Sequence, residues 1–142
     1  NFTHGDYLIV EEISYRFRAP ERGEVVVFRF PYNPSFRYIK RVVGLPGEVV
    51  EIKGNRVIIE TSPGSSNVFA LDENSYLPHA ETRGSSRVVL GEGEYFVLGD
   101  NRQFSSDSRQ WGVLSQDHII GRALIRVFPI STFAKFETPQ YQ

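Results

Sequence analysis

Apolar residues in this chain fall in short runs broken by Gly, Pro, Asn and Asp, and no segment sustains the 3.6-residue period of an amphipathic helix. The runs are rich in Val, Ile, Phe and Tyr, which suits pleated, half-buried strands. A turn at Gly5 precedes a strand over residues 6–10, with a continuation through Ile13 and Tyr15. Residues 18–23 read as a loop punctuated by Pro20 and Gly23, and residues 24–30 as a strand that is almost wholly β-branched or aromatic. Residues 31–35 read as a turn. The segment Tyr38-Ile39-Lys40-Arg41-Val42-Val43 is the next strand, closed by Gly44-Leu45-Pro46-Gly47. Residues 49–52 and 56–59 form a hairpin about Gly54-Asn55.

Residues 61–86 change character. Ser, Gly, Pro and Asn dominate, and only residues 68–71 are apolar, so this stretch reads as an insert or flap beside the main sheet. Strands resume at 87–90 and 95–98 and, after a polar stretch at 99–109, at 119–128. Residues 114–118 read as one helical turn capped by Ser115. Many short strands between turn residues predict an all-β barrel or sandwich, and 142 residues suffice for one domain over residues 1–142.

Charge and composition narrow the function. The net charge of −1 excludes a polyanion-binding surface, so no nucleic-acid partner is expected. The chain has no cysteine, and its three histidines, His4, His79 and His118, have no i,i+4 pairing, so no metal or other cofactor is expected. No apolar run approaches the roughly 18 residues that span a bilayer. The chain starts at Asn1 rather than methionine and enters a strand within a few residues, so residues upstream are expected.

Two stretches can carry chemistry. Strand alternation puts Tyr38, Lys40 and Val42 on one face and Ile39, Arg41 and Val43 on the other. A lysine with apolar neighbours loses ammonium solvation, and a lowered pKa makes it usable as a general base. The competing reading is an edge-strand lysine that discourages aggregation. The second stretch, Gly99-Asp100-Asn101-Arg102-Gln103-Phe104-Ser105-Ser106-Asp107-Ser108-Arg109, is either a solvated turn-rich loop or a rigid polar shelf. As a shelf it pairs Asp107 with Arg109 and Asp100 with Arg41, and it offers a serine hydroxyl to Lys40. A desolvated lysine beside a hydroxyl is one recipe for a serine-lysine hydrolase.

These stretches, together with Gly5-Asp6-Tyr7, Arg22-Gly23-Glu24-Val25-Val26-Val27-Phe28 and Gly121-Arg122-Ala123, resemble in order the sequence boxes of bacterial type I signal peptidases (leader peptidases). The resemblance covers most of the chain and leaves residues 61–86 without a counterpart. It implies a mainly β antiparallel sheet or barrel assembly. It also implies a membrane-anchored serine endopeptidase, its catalytic domain on the extracytoplasmic side of the cell membrane, that removes signal peptides from exported preproteins with a Ser/Lys dyad. The family's lysine matches Lys40, and the serine that hydrogen-bonds it matches Ser105. The supporting ion pairs match Arg41 with Asp100 and Asp107 with Arg109. Positions that line the pockets for small substrate side chains match Phe2, Tyr38 and Ile39.

One departure follows from the same resemblance. The family's nucleophile lies in a Ser-Met-x-Pro-Thr-Leu segment whose last two positions align with Asn1 and Phe2. The nucleophile, and the membrane anchor beyond it, are therefore expected upstream of Asn1, and the chain by itself is expected not to cleave. An exposed apolar surface facing the membrane is expected at Phe2 and around Phe104 and Trp111, with Phe133 and Phe136 as further candidates. Two alternatives stand beside this reading. One is a self-cleaving repressor-type Ser/Lys protease; the other is a non-catalytic β module that binds extended peptides at a strand edge.

Overall fold

The structure is a computed structural model. It describes residues 6–12, 14–16, 18–73, 82 and 84–127, with the side chains of 6–9, 16 and 125–127 excepted. Ten strands dominate: β1 (Asp6–Glu11), β2 (Val25–Phe30), β3 (Asn33–Gly44), β4 (Val49–Lys53), β5 (Arg56–Glu60), β6 (Val68–Ala70), β7 (Ser86–Val89), β8 (Glu94–Leu98), β9 (Leu114–Ser115) and β10 (Ile119–Val127). A single α-helical turn, α1 (Ser108–Trp111), and two 3-10 turns, Ser14–Arg16 and Gln116–His118, complete the described elements. Every strand pairing among them is antiparallel.

The strands form a six-stranded sheet in the order β1-β10-β2-β3-β8-β9 and a four-stranded sheet in the order β6-β5-β4-β7. Alternation along β3 and β8 divides the interior. Val43, Phe96 and Leu98 face the second sheet and join Val50, Ile52, Val57, Ile59 and Leu90 in one core. Val42, Tyr95 and Val97 face the other way and join Val26, Phe28 and Leu114. Gly44, at the end of β3, sits where the two sheets meet. A Cβ there would collide with Val50 Cγ2 and come within 2.8 Å of Leu90 Cδ1 and 3.0 Å of Phe96 Cβ. The close approach of the sheets therefore needs a residue without a side chain.

The β4–β5 hairpin turns on Gly54 and Asn55, with φ of 60° and 62°. This is the left-handed pair that two-residue hairpin turns require. Three local expectations are corrected. The first strand does not run on to Tyr15, because the Glu11 carboxylate accepts the Ser14 N–H and starts a 3-10 turn instead; Ile13 lies outside the described residues. The turn after β2 is only Pro31-Tyr32, since Phe30 pairs with Asn33 and β3 starts there. The capped turn at Ser115 is a 3-10 turn that begins after Leu114 and Ser115 have paired with β8.

The 61–86 stretch contributes structure at both ends. Val68–Ala70 pairs with β5, and Ser86 opens the strand that pairs with β4. Residues 74–81 and 83, including His79, lie outside the described residues.

Candidate active site

β3 runs through the middle of the larger sheet with Val26 of β2 beside Lys40 on one side. On the other side β8 pairs Leu98 with Arg41 and then ends, so its continuation, Gly99, lies alongside Lys40. The Lys40 side chain shares its face with Tyr38 and the fully buried Val42. Its Nζ donates to Ser105 Oγ at 3.0 Å and sits 5.5 Å from the centre of the Tyr38 ring. Burial pushes the Lys40 amine below the ordinary lysine value of 10.5; Asp107 and Asp100 oppose the shift, and Arg109 reinforces it.

Gly99 makes this contact possible. A Cβ built there would overlap Ser105 Oγ, approach Ser105 Cβ to 2.5 Å and lie 3.4 Å from Lys40 Nζ. The serine hydroxyl thus occupies the space that any side chain at position 99 would fill.

The loop from Gly99 to Arg109 is held by ionic groups on both faces of β3. On the face away from Lys40, Arg41 donates to Asp100 from Nε (2.9 Å) and Nη2 (2.8 Å), and its Nη1 donates to the Gly23 carbonyl at 2.8 Å. Burial alone would raise the Asp100 pKa, but the hydrogen bonds and charge of Arg41 outweigh it and hold the carboxyl below its usual value. Asp107 is fully buried and caps α1, accepting from the Arg109 N–H and from the Arg109 guanidinium at 2.9 and 2.8 Å. It also accepts the Gly99 N–H at 3.1 Å. Both ion pairs read from the sequence are present.

Ile39, on the opposite face from Lys40, is 8% exposed and packs with Val27 and Ala123. Tyr38 packs on Phe28 and stacks on Phe30 with ring centres 4.7 Å apart. Phe2 lies outside the described residues.

Two features escaped the sequence reading. Ser108 Oγ accepts the buried Val97 N–H at 2.9 Å, completing the outer edge of β8 where β9 does not reach. Arg102 is 5% exposed and bonds Gly99 O, Glu73 and Thr82. The box around Arg102 was visible in sequence, but nothing in the polar 61–86 stretch marks Glu73 as its counterion.

Two measurements check this geometry. A lysine whose folded pKa is lowered penalises folding fully while both states hold the proton. The penalty fades as pH rises from the folded value to 10.5, because the unfolded chain then holds a proton that the folded chain lacks. Lys40→Met is therefore expected to be more stable than the parent at neutral pH, with an advantage that shrinks as chemical denaturation is repeated toward pH 10.5. Equal stability at every pH would contradict a desolvated amine. Asp100→Asn leaves Arg41, 13% exposed, without its charge partner. The expected loss is about 3–5 kcal/mol in denaturant titrations, and a loss under about 1 kcal/mol would class the pair with surface ion pairs.

The family model described as "Signal peptidase, peptidase S26" matches residues 1–128. A protein named signal peptidase I in Leptolyngbya laminosa is 39% identical over 141 residues, which cover 94% of this chain and 66% of that protein. A probable signal peptidase I-2 of Synechocystis is 39% identical over 134 residues, 88% of this chain and 56% of its own length. A signal peptidase IB of Staphylococcus aureus is 32% identical over 149 residues, covering 96% and 75%. The chain thus spans under two thirds of the length of the Leptolyngbya and Synechocystis relatives. A crystal structure of a signal peptidase I from Enterococcus faecalis matches with a TM-score of 0.58 and 29% identity over 74% of this chain and 97% of that one. From the order of its sequence boxes, its antiparallel sheets and these matches, the chain belongs to the signal peptidase S26 family.

Proposed function

We propose that this domain serves a membrane-associated serine endopeptidase that removes signal peptides from exported preproteins. In this reading Lys40 is the general base and a serine N-terminal to Asn1 is the nucleophile. The observation that carries the reading is the partly buried Lys40 amine, with its lowered pKa, 3.0 Å from Ser105 Oγ. A neutral amine takes the proton from the attacking hydroxyl as its oxygen bonds to the scissile carbonyl carbon. The resulting ammonium then gives that proton to the departing amine, and water repeats the sequence to release the acyl group. Ser105 fixes the direction of the Lys40 amine, and the Arg41–Asp100 and Arg109–Asp107 pairs hold the loop that carries Ser105. Tyr38 and Ile39 line the pockets for the small side chains before the cleavage point.

The loop serines are poor candidates for the attacking group. The Ser105 hydroxyl is engaged by Lys40, and that of Ser108 is buried against the Val97 N–H. A nucleophile must meet both the base and the substrate beside oxyanion donors. The test compares this chain with one extended N-terminally through the parent gene's sequence, using a fluorogenic signal-peptide substrate and a serine-directed acylating probe. Turnover is expected only from the extended chain. Lys40→Ala and Lys40→Arg in that chain are expected to lose about 10²–10⁴-fold in kcat, the arginine variant because a guanidinium stays protonated near neutral pH. Labelling of Ser105, Ser106 or Ser108 with cleavage by the short chain would overturn the assignment of the nucleophile.

The same reading places the domain at the extracytoplasmic surface of the cell membrane. Among the described residues no helix is long and apolar enough to cross a membrane. An aromatic series runs outward from Tyr38 through Phe30 to Tyr32, which is 74% exposed, and Phe36 and Phe104 are 56% and 84% exposed. Trp111 packs against Phe28 and Phe30 rather than standing free. Phe133 and Phe136 lie outside the described residues. Exposed aromatic rings suit the bilayer interface. The chain is expected to co-sediment with phospholipid vesicles, and Tyr32→Ser with Phe36→Ser and Phe104→Ser to reduce the bound fraction. Absence of binding to zwitterionic and anionic vesicles would remove the membrane-surface part of the reading.

A further inference from the structure

Residues 61–86 are the part of the chain that the family boxes leave unassigned, yet they reach the site. Glu73 follows β6, and both its carboxylate oxygens accept from the Arg102 guanidinium, at 2.6 and 2.8 Å. Thr82 Oγ1, at the other end of the same stretch, accepts from Arg102 Nη1 at 2.7 Å. The pair is among the most enclosed in the molecule, with side chains 3% and 9% exposed. Arg102 spends its remaining bonded donor, Nε, on the Gly99 carbonyl at 2.7 Å. Four hydrogen bonds from one guanidinium leave it a single defined orientation.

The Gly99 peptide groups are therefore gripped from two directions. Asp107 takes the N–H and Arg102 holds the carbonyl. The Arg102 backbone carbonyl in turn accepts from Arg109 Nη2 at 2.7 Å, so the two grips are joined. Ser105 Oγ rests directly against the Cα of Gly99, in the space of its missing side chain, and from there meets Lys40. A rotation of the Gly99 peptide moves the surface on which that hydroxyl is seated.

We propose that Glu73 is a positioning residue for the Lys40–Ser105 contact, acting through Arg102 and the Gly99 carbonyl, so that the 61–86 stretch completes the site it borders. The inference deepens the reading of Lys40 as a general base and rests on it. Without the Glu73 carboxylate, Arg102 holds a buried charge with no counterion and turns toward water. The Gly99 carbonyl is then released, Ser105 loosens, and water reaches Lys40. The charged groups acting on the amine, Asp107, Arg109 and Asp100, all belong to the same 99–109 loop, so the amine senses any shift in that loop.

The chain has three lysines, Lys40, Lys53 and Lys135, so the Cε signals of lysine-labelled protein can be followed individually through a pH titration by NMR. In the unaltered chain Lys40 is expected to titrate below the ordinary lysine value of 10.5. In Glu73→Gln the Lys40 midpoint is expected to rise toward the ordinary lysine value as solvation returns. Because Glu73→Gln strands a buried guanidinium, the paired variant Glu73→Met with Arg102→Met, which removes both charges, and the near-isosteric Thr82→Val serve beside it. The first is expected to show the same rise and the second a smaller one in the same direction. A low Lys40 midpoint that stays in place in the folded variants overturns the role of Glu73 alone. A Lys40 midpoint at the ordinary lysine value of 10.5 in the unaltered chain overturns the general-base reading and, with it, this one.

Discussion

The space beside Gly99 is the constraint on which the site depends. With no Cβ at this position, the Ser105 hydroxyl can lie against the backbone of the residue that follows β8, 3.0 Å from the Lys40 amine. That arrangement is useful only if the backbone stays where it is. The N–H of Gly99 is held by a fully buried carboxylate and its carbonyl by an almost fully buried guanidinium, so the peptide is fixed by charge-assisted bonds in a region with little water.

Holding one lysine among apolar groups is costly, and the surroundings are arranged around that cost. Val26, Val42 and Tyr38 remove solvent from the amine, while Asp107 and Asp100 are near enough to temper the loss of the ammonium. Each carboxylate is already committed to an arginine, Asp107 to Arg109 and Asp100 to Arg41. Desolvation remains the larger effect on the Lys40 pKa. Three ion pairs with low exposure in and around one eleven-residue loop are weak evidence of stability, since desolvation offsets much of their attraction. Their geometric consequence is firmer: each bidentate arginine admits one orientation of the loop relative to β3.

The two sheets divide the work. The larger sheet presents Lys40 and Arg41 on opposite faces of one strand, and the 99–109 loop reaches both. The smaller sheet packs behind β3 and β8 through Val43, Phe96 and Leu98, and it launches and receives the stretch that brings Glu73 and Thr82 to Arg102.

Much of this was legible in the residues alone. Runs of β-branched and aromatic residues between Gly and Pro turns defined nearly every long strand, because burial on a pleated surface is a local, period-two property. The same alternation separated Lys40 from Arg41, and the density of Asp, Arg and Ser after β8 marked the partner loop. Local hydrogen bonding overrode the pattern in small places, as where Glu11 captures Ser14 and ends β1. What the chain could not disclose by itself was which distant groups share a buried charge. Glu73 lies 29 positions from Arg102 in a polar stretch with no periodicity, and a single carboxylate there looks like any solvated side chain. Only the antiparallel addition of β6 and β7 to the smaller sheet returns it to the loop, since the pairing of buried charges is set by where strands end in space rather than by neighbours in sequence.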